Sequence, residues 1–237
     1  MTIPDLPTGR EKTARVRSMF DTIAPRYDVV NRVITFGLDQ HWRQRTVRAL
    51  GLPIGAAVLD VACGTGSLGE LATRAGYRVI GVDMSAGMLS GHRGPSPAAQ
   101  CDAAALPFPA ASFDGVVCGY ALRNFTDLGA TIREMARVVR PGGRLAVLEV
   151  ASPPNRLVRT GHAVWFRHVV PMIGAALSDR GAYRYLPDSV EYLPRGDELK
   201  KVFRDAGFAA VGQRLLQGGL SQIVTGTRAG PTVAAAP

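Results

Sequence analysis

Lysine is almost missing from this chain. It stands only at positions 12, 200 and 201, although Lys and Arg together number 28 against 19 acids. The net charge of +9 is therefore arginine charge, compatible with an anionic membrane surface or with nucleic acid. No run of five basic residues and no nucleic-acid motif accompanies it, so a solvated basic surface is the competing reading and no nucleic-acid partner is expected. Long apolar runs are lacking too: none approaches the roughly 20 residues of a spanning helix. Pro4, Asp5 and Pro7 lie where a secretory leader needs an apolar centre, so the expected compartment is the cytoplasm. Three cysteines, Cys63, Cys101 and Cys118, have no metal-type spacing and form no even framework. They predict reduced thiols and no metal.

What is present is ordinary in amount. Hydrophobic residues make up 46% and charged ones 20% of 237 positions, enough for one good-sized core. Helical spacing over Glu11 to Phe20 and Asp39 to Leu50 predicts an N-terminal helical segment, residues 1–50, ahead of the main domain, residues 51–228. Strand-like and helix-like runs then alternate: Ala57 to Val61, Gly69 to Ala75, Arg78 to Val82, Ala86 to Leu89, Gly115 to Cys118, Thr131 to Val139 and Leu145 to Val150. Such alternation implies an α/β fold with a parallel sheet. Arg140-Pro-Gly-Gly143 is expected to end the helix before the fifth strand, and a short third strand is expected near Ala99 to Cys101. Residues 153–194 break the pattern with two aromatic and basic stretches and read as an inserted cap. Ala210 to Leu216 and Gln222 to Arg228, joined by Gln217-Gly-Gly-Leu220, read as a closing hairpin, and residues 229–237 as a disordered tail.

The chemistry concentrates in Val58-Leu-Asp-Val-Ala-Cys-Gly-Thr-Gly66 and in Tyr77-Arg-Val-Ile-Gly-Val-Asp83. A buried strand, a glycine turn and a second strand ending in an acid are how an α/β sheet grips a ribose-bearing ligand. Gly64 and Gly66 permit positive φ and close approach, so their amides are expected to serve as donors. Asp83 lies near the offset at which a carboxylate accepts ribose hydroxyls. Asp60 beside the loop would repel a pyrophosphate and suits a cationic, amino-bearing ligand.

Leu59 to Gly66 resembles motif I of the class I S-adenosylmethionine-dependent methyltransferases. Tyr27-Asp-Val-Val-Asn31, Thr35-Phe-Gly37 and His41-Trp-Arg43 are similar to the N-terminal signature of the menaquinone and ubiquinone C-methyltransferases. Asp102-Ala-Ala-Ala-Leu-Pro-Phe108 with Phe113-Asp114, Leu122-Arg-Asn124, Arg133 to Gly143 and Tyr183 to Val190 extend the resemblance from about Tyr27 to Phe208. It implies a Rossmann-like, seven-stranded, mostly parallel sheet with a C-terminal antiparallel hairpin and a helical cap. It also implies S-adenosyl-L-methionine, leaving as S-adenosyl-L-homocysteine. Thr65 and the amides of Gly64 and Gly66 would meet its methionyl part, with Asp60 close by. Asp83 would meet the ribose, Asp102 and Ala103 the adenine, Met84 would also belong to the cofactor site, and Tyr27 would close over the sulfonium.

The resemblance further implies transfer to the ring of a demethylmenaquinol-like quinol, with Arg123, Asn124 and Tyr185 as the catalytic set. Arg123 would stabilise a phenolate oxygen or hold a water, and His162 and His168 are rival bases. Ser67 stands where the family usually has an acid, and Glu149-Val-Ala-Ser152 replaces its strand-five ending. A natural-product methyltransferase acting on carbon or oxygen of a small aromatic therefore stays open, as does a catalytically silent S-adenosylmethionine-binding protein. Trp165, Phe166, Val169, Val170, Met172 and Ile173 suit a prenylated ring, and Arg156, Arg159 and Arg167 suit anionic headgroups. Peripheral membrane contact and a homodimer are the remaining partner expectations.

Overall fold

The computed structural model of the chain describes residues 9–178 and 189–230. Tyr185 and residues 231–237 of the expected tail lie outside the described residues. Seven strands run β1 (Ala57–Val61), β2 (Arg78–Asp83), β3 (Ala98–Gln100), β4 (Phe113–Gly119), β5 (Val139–Val150), β6 (Phe208–Leu216) and β7 (Ser221–Arg228). They form one sheet in the order β3-β2-β1-β4-β5-β7-β6. β1 pairs in parallel with β2 and β4, whereas β7 is antiparallel to both β5 and β6. The Rossmann-like expectation with a closing hairpin is met. β1 is buried along nearly its whole length, as a parallel strand covered on both faces must be.

Between the strands lie α4 (Ser67–Arg74), α5 (Ala86–Ser90), α6 (Leu128–Val138) and α9 (Gly196–Asp205), preceded by α1 (Gly9–Ile23), α2 (Tyr27–Ile34) and α3 (Leu38–Leu50). The cap is α7 (Arg156–Val164) and α8 (Val170–Leu177), joined by a π turn over Trp165–Val169. Within this turn the Val170 amide reaches back to Trp165 O, and Pro171, which has no N–H, follows at the first turn of α8.

Two expectations need correction. The helix before the fifth strand ends at Val138, ahead of Arg140-Pro-Gly-Gly143, because Val139 already pairs with Phe113. The ladder resumes at Gly115 and Arg144, so residues 140–143 form an excursion inside β5 rather than a helix stop. The N-terminal signature Tyr27 to Asn31 is helical, and α2 is an element that composition and spacing did not suggest. Its inward residues Val30 and Ile34 are buried in a cluster with Ile23 and with Val170, Trp165 and Ile173 of the cap, and the cap residues lie far off in sequence.

Candidate active site

The chain passes from β1 outward through β2 to β3 and then returns to place β4 on the other side of β1. Ligands of open α/β sheets bind at the carboxyl ends of the strands at such a reversal. Here the loop after β1 turns through Ala62 at φ 56°, Gly64 at 56° and Gly66 at 88°. A Cβ on Gly66 would stand 2.6 Å from His92 Nε2, so a side chain there would displace that imidazole as well as strain the backbone. Tyr120, after β4, holds φ 60°. Non-glycine residues in this region cost backbone energy, and they cluster at functional sites.

Asp83, at the end of β2, accepts the Gly64 amide on Oδ2 and the Ser85 amide on Oδ1, each at 2.8 Å. The Gly66 amide donates to Cys63 O at 2.9 Å. Both glycine amides are thus committed within the protein, which corrects the expectation that they serve as free donors. Asp83 instead docks the loop onto β2, and its oxygens keep lone pairs for a ligand diol. Burial pushes its carboxyl above the ordinary carboxylate range, against the pull of three backbone amides.

Asp60 is 1% exposed, and neither of its oxygens has a hydrogen-bond partner of full geometry. Burial raises its pKa to about 7, with Arg43 and the Gly69 amide offsetting part of the effect. A buried carboxylate this weakly compensated is costly, and it faces a cavity that Cys63, Gly64, Thr65, Asp83 and Met84 also line. This cavity offers an anionic group to an amine, a carboxylate at the end of the second strand to a ribose, and the apolar side chains of Met84 and Met88. The chain's own groups therefore fit S-adenosylmethionine.

A second cavity of about 330 Å³ lies beneath the cap and is lined mainly by apolar side chains, among them Phe36, Leu38, Trp42 and Trp165. It shares a wall with the first, formed by Phe20, Tyr27, Tyr120 and Asn124. Asn124 Oδ1 in this wall is buried and unpaired. Burial holds the Tyr27 and Tyr120 phenols above their usual values, so both stay protonated. Arg123 reaches only the second cavity. Its Nη1 meets Glu149 Oε1 at 2.5 Å and Tyr120 O at 2.8 Å, and its Nε donates to Ser189 Oγ at 3.1 Å. The bare cation expected to face a phenolate is therefore already neutralised by Glu149, which is fully buried.

Of the rival histidines, His162 lines the second cavity, stacks 4.4 Å from Phe166, and has its pKa lowered by burial. His168 is exposed and lies outside that lining. Asp102 lines a separate groove against α1, and Ala103 packs on the main core, so the structure does not bring either into the cavity of the glycine loop.

Residues that the sequence reading passed over complete the site. Lys12 of α1 is 3% exposed and donates to Arg123 O at 3.0 Å and Phe125 O at 2.8 Å; burial lowers its pKa to about 8. Asp21 accepts Ser85 Oγ at 2.6 Å and the Gly87 amide at 2.9 Å. Together they strap α1 across the glycine-loop cavity. Tyr120 and Arg43 sat beside or within quoted motifs, and Glu149 was a lone acid in an apolar strand, but Lys12 and Asp21 carried no local signal.

The ubiE/COQ5 methyltransferase family model matches residues 8–228. A protein of Roseiflexus castenholzii named demethylmenaquinone methyltransferase is 43% identical over 95% of this chain and 98% of its own length. One of Geobacter sulfurreducens named ubiquinone/menaquinone biosynthesis C-methyltransferase is 39% identical over 92% of this chain and 90% of its own. An S-adenosylmethionine-dependent methyltransferase of Thermotoga maritima shares the fold at a TM-score of 0.64 and 19% identity, over 90% of this chain and 99% of its own. A sheet that offers a buried, weakly compensated carboxylate to an amine, and a family match across nearly the whole chain, agree: the protein belongs to the ubiE/COQ5 methyltransferase family and is an S-adenosylmethionine-dependent methyltransferase.

Proposed function

We propose that the enzyme methylates a ring carbon of a demethylmenaquinol-like hydroquinone, held in the apolar cavity beneath the cap. The observation that carries this reading is the wall shared by the two cavities, where Tyr27, Tyr120 and Asn124 face both. The names borne by the relatives support the same acceptor. S-adenosylmethionine supplies an electrophilic methyl. The chain's residues align the acceptor behind it and exclude water, which is most of the catalysis that such a transfer needs.

Asp60 holds the donor's amino group and Asp83 its ribose, while Asp102 and Ala103 reach the adenine only if the groove beside α1 joins the cavity. At the shared wall, the unpaired Oδ1 of Asn124 accepts a hydrogen bond from a ring hydroxyl and fixes the ring's orientation. The Arg123–Glu149 pair contributes directed N–H dipoles rather than net charge, stabilising oxygen as its proton leaves. His162, neutral at pH 7 because burial lowers its pKa, is suited to take that proton. Tyr185, carried over by family resemblance, completes the set.

No described helix is long and apolar enough to cross a membrane. We further propose a cytoplasmic enzyme that rests on the bilayer. Leu157, Val164 and Met172 are exposed large apolar residues, and Arg156, Arg159 and Arg167 are exposed nearby in sequence. This pairing suits an anionic lipid surface.

Incubation with methyl-labelled S-adenosylmethionine, a prenylated and a tailless 1,4-naphthohydroquinone and a panel of small phenols tests the reading. Label is expected on ring carbon of the naphthohydroquinones; label confined to the phenols would overturn it. Adding anionic vesicles to the same assay is expected to co-sediment the enzyme at low salt and release it at high salt, and no sedimentation at either salt removes the membrane proposal.

A further inference from the structure

The cavity beneath the cap has two distinguishable ends. Tyr120 and Asn124 belong to the wall shared with the donor cavity, Arg123 precedes Asn124, and further polar residues, among them Thr35, Asp39 and His162, line the rest. Phe36 and Val158 line the same cavity yet are 75% and 42% exposed, so they stand where it opens to solvent. A ring that reacts at the shared wall must therefore send any long substituent toward Phe36.

Phe36 is an unusual residue for that place. Its φ of 53° lies in the left-handed region, where bulky side chains are disfavoured, and Gly37 follows at 75°. The turn is enforced by the Gly37 amide bonding Arg32 O at 2.8 Å and the Leu38 amide bonding Thr35 O at 3.0 Å. A strained, largely exposed phenylalanine gains little from burial. What it does contact is Trp165, the first residue of the π turn, with ring centroids 5.0 Å apart and planes tilted by 36°. One ring comes from the turn between α2 and α3 and the other from the cap, and both line the cavity.

We propose that Phe36 and Trp165 form an aromatic portal that grips the apolar tail of the acceptor and sets the enzyme's preference for tailed over tailless rings. The proposal rests on the acceptor reading above and adds the residues that select for the tail. A flat, apolar pair at the mouth recognises unsaturated hydrocarbon by dispersion and burial, without directional bonds, so it discriminates by the presence of a tail rather than by ring chemistry.

Phe36→Ala and Phe36→Trp separate this role from a structural one, because Phe36 is exposed and its loss leaves the core intact; Trp165→Ala tests the other half. In detergent micelles, Phe36→Ala and Trp165→Ala are expected to raise KM for a prenylated 1,4-naphthohydroquinone by about 10-fold. The ratio of tailed to tailless KM should rise in both variants whatever happens to kcat, the affinity for S-adenosylmethionine should stay within about 2-fold, and Phe36→Trp should restore the ratio. Equal changes for both acceptors, or none for either, would overturn the portal. If the wild type methylates neither ring, the acceptor reading fails separately. Titration with farnesol followed by tryptophan fluorescence then reads the portal alone, and equal affinity in wild type and Phe36→Ala would refute it.

Discussion

At the scale of single residues, Asp60 concentrates the most consequence in one side chain. Its raised pKa means that folding penalises the ionised form: stability falls as pH rises from the usual carboxylate value toward about 7, and the full cost is present above that. The same ionised form is the one that an amine ligand needs. Asp60→Asn should therefore be more stable than the wild type at pH 8, by about 1 to 3 kcal/mol once the unpaired amide of Asn is counted, and should bind S-adenosylmethionine less well. Between pH 8 and pH 6 the wild type loses most of its carboxylate, so its binding advantage over the variant should shrink about tenfold. Calorimetry and thermal unfolding at the two pH values check both halves, and a variant that is less stable at pH 8 or equally advantaged at both would refute the role. Asp60, Asp83 and Thr65 were legible from sequence because they sit within a few residues of a glycine turn whose geometry is local. Glu149 was not, because its meaning depends on Arg123 arriving from another strand end. The supposed free amides of Gly64 and Gly66 misled for the same reason: their acceptors are tertiary.

Among the elements, α1 carries the clearest mechanical role. It crosses the donor cavity, held near one end by Lys12 on the 123–125 turn and near the other by Asp21 on the start of α5. Hydrogen bonding from Ser85 lowers the Asp21 pKa, so this contact is made above the ordinary carboxylate range and is lost only as pH falls below it. Asp21→Ala removes two hydrogen bonds at a half-buried site and should cost about 1 kcal/mol locally. Amide exchange in α1 should quicken and S-adenosylmethionine dissociation should accelerate about fivefold, with the sheet's protection unchanged. Unaltered exchange in α1 would show that the strap is held by packing alone. Strands and the closing hairpin were readable because their hydrophobic runs are continuous and their turns carry glycine. The helix α2 and the early end of α6 were not, since one is amphipathic only relative to the cap and the other is cut short by a strand pairing.

For the molecule as a whole, the site lies between unequal cores. The two faces of the sheet bury extensive clusters around Leu59, Val116 and Leu145 on one side and Leu50, Val58 and Val117 on the other. The α1, α2 and cap elements share only a small satellite cluster of Ile23, Val30, Ile34 and Val170. Both cavities draw walls from each part, so the donor and acceptor sites proposed above lie where the weaker core meets the stronger. Elements that must open for ligand exchange belong to the low end of local stability. Val30 is fully buried in the satellite cluster, and Val30→Ala should cost about 2 kcal/mol there, as lost burial plus a small void. If the two cores are separable, amide exchange should rise together across α1, α2 and the cap while β1, β4 and β5 keep their protection, and adding S-adenosylmethionine should recover α1 and α2 in preference to the cap. A uniform rise across sheet and cap would instead mean that the molecule opens as one unit, and that its ligands enter only when the sheet itself gives way.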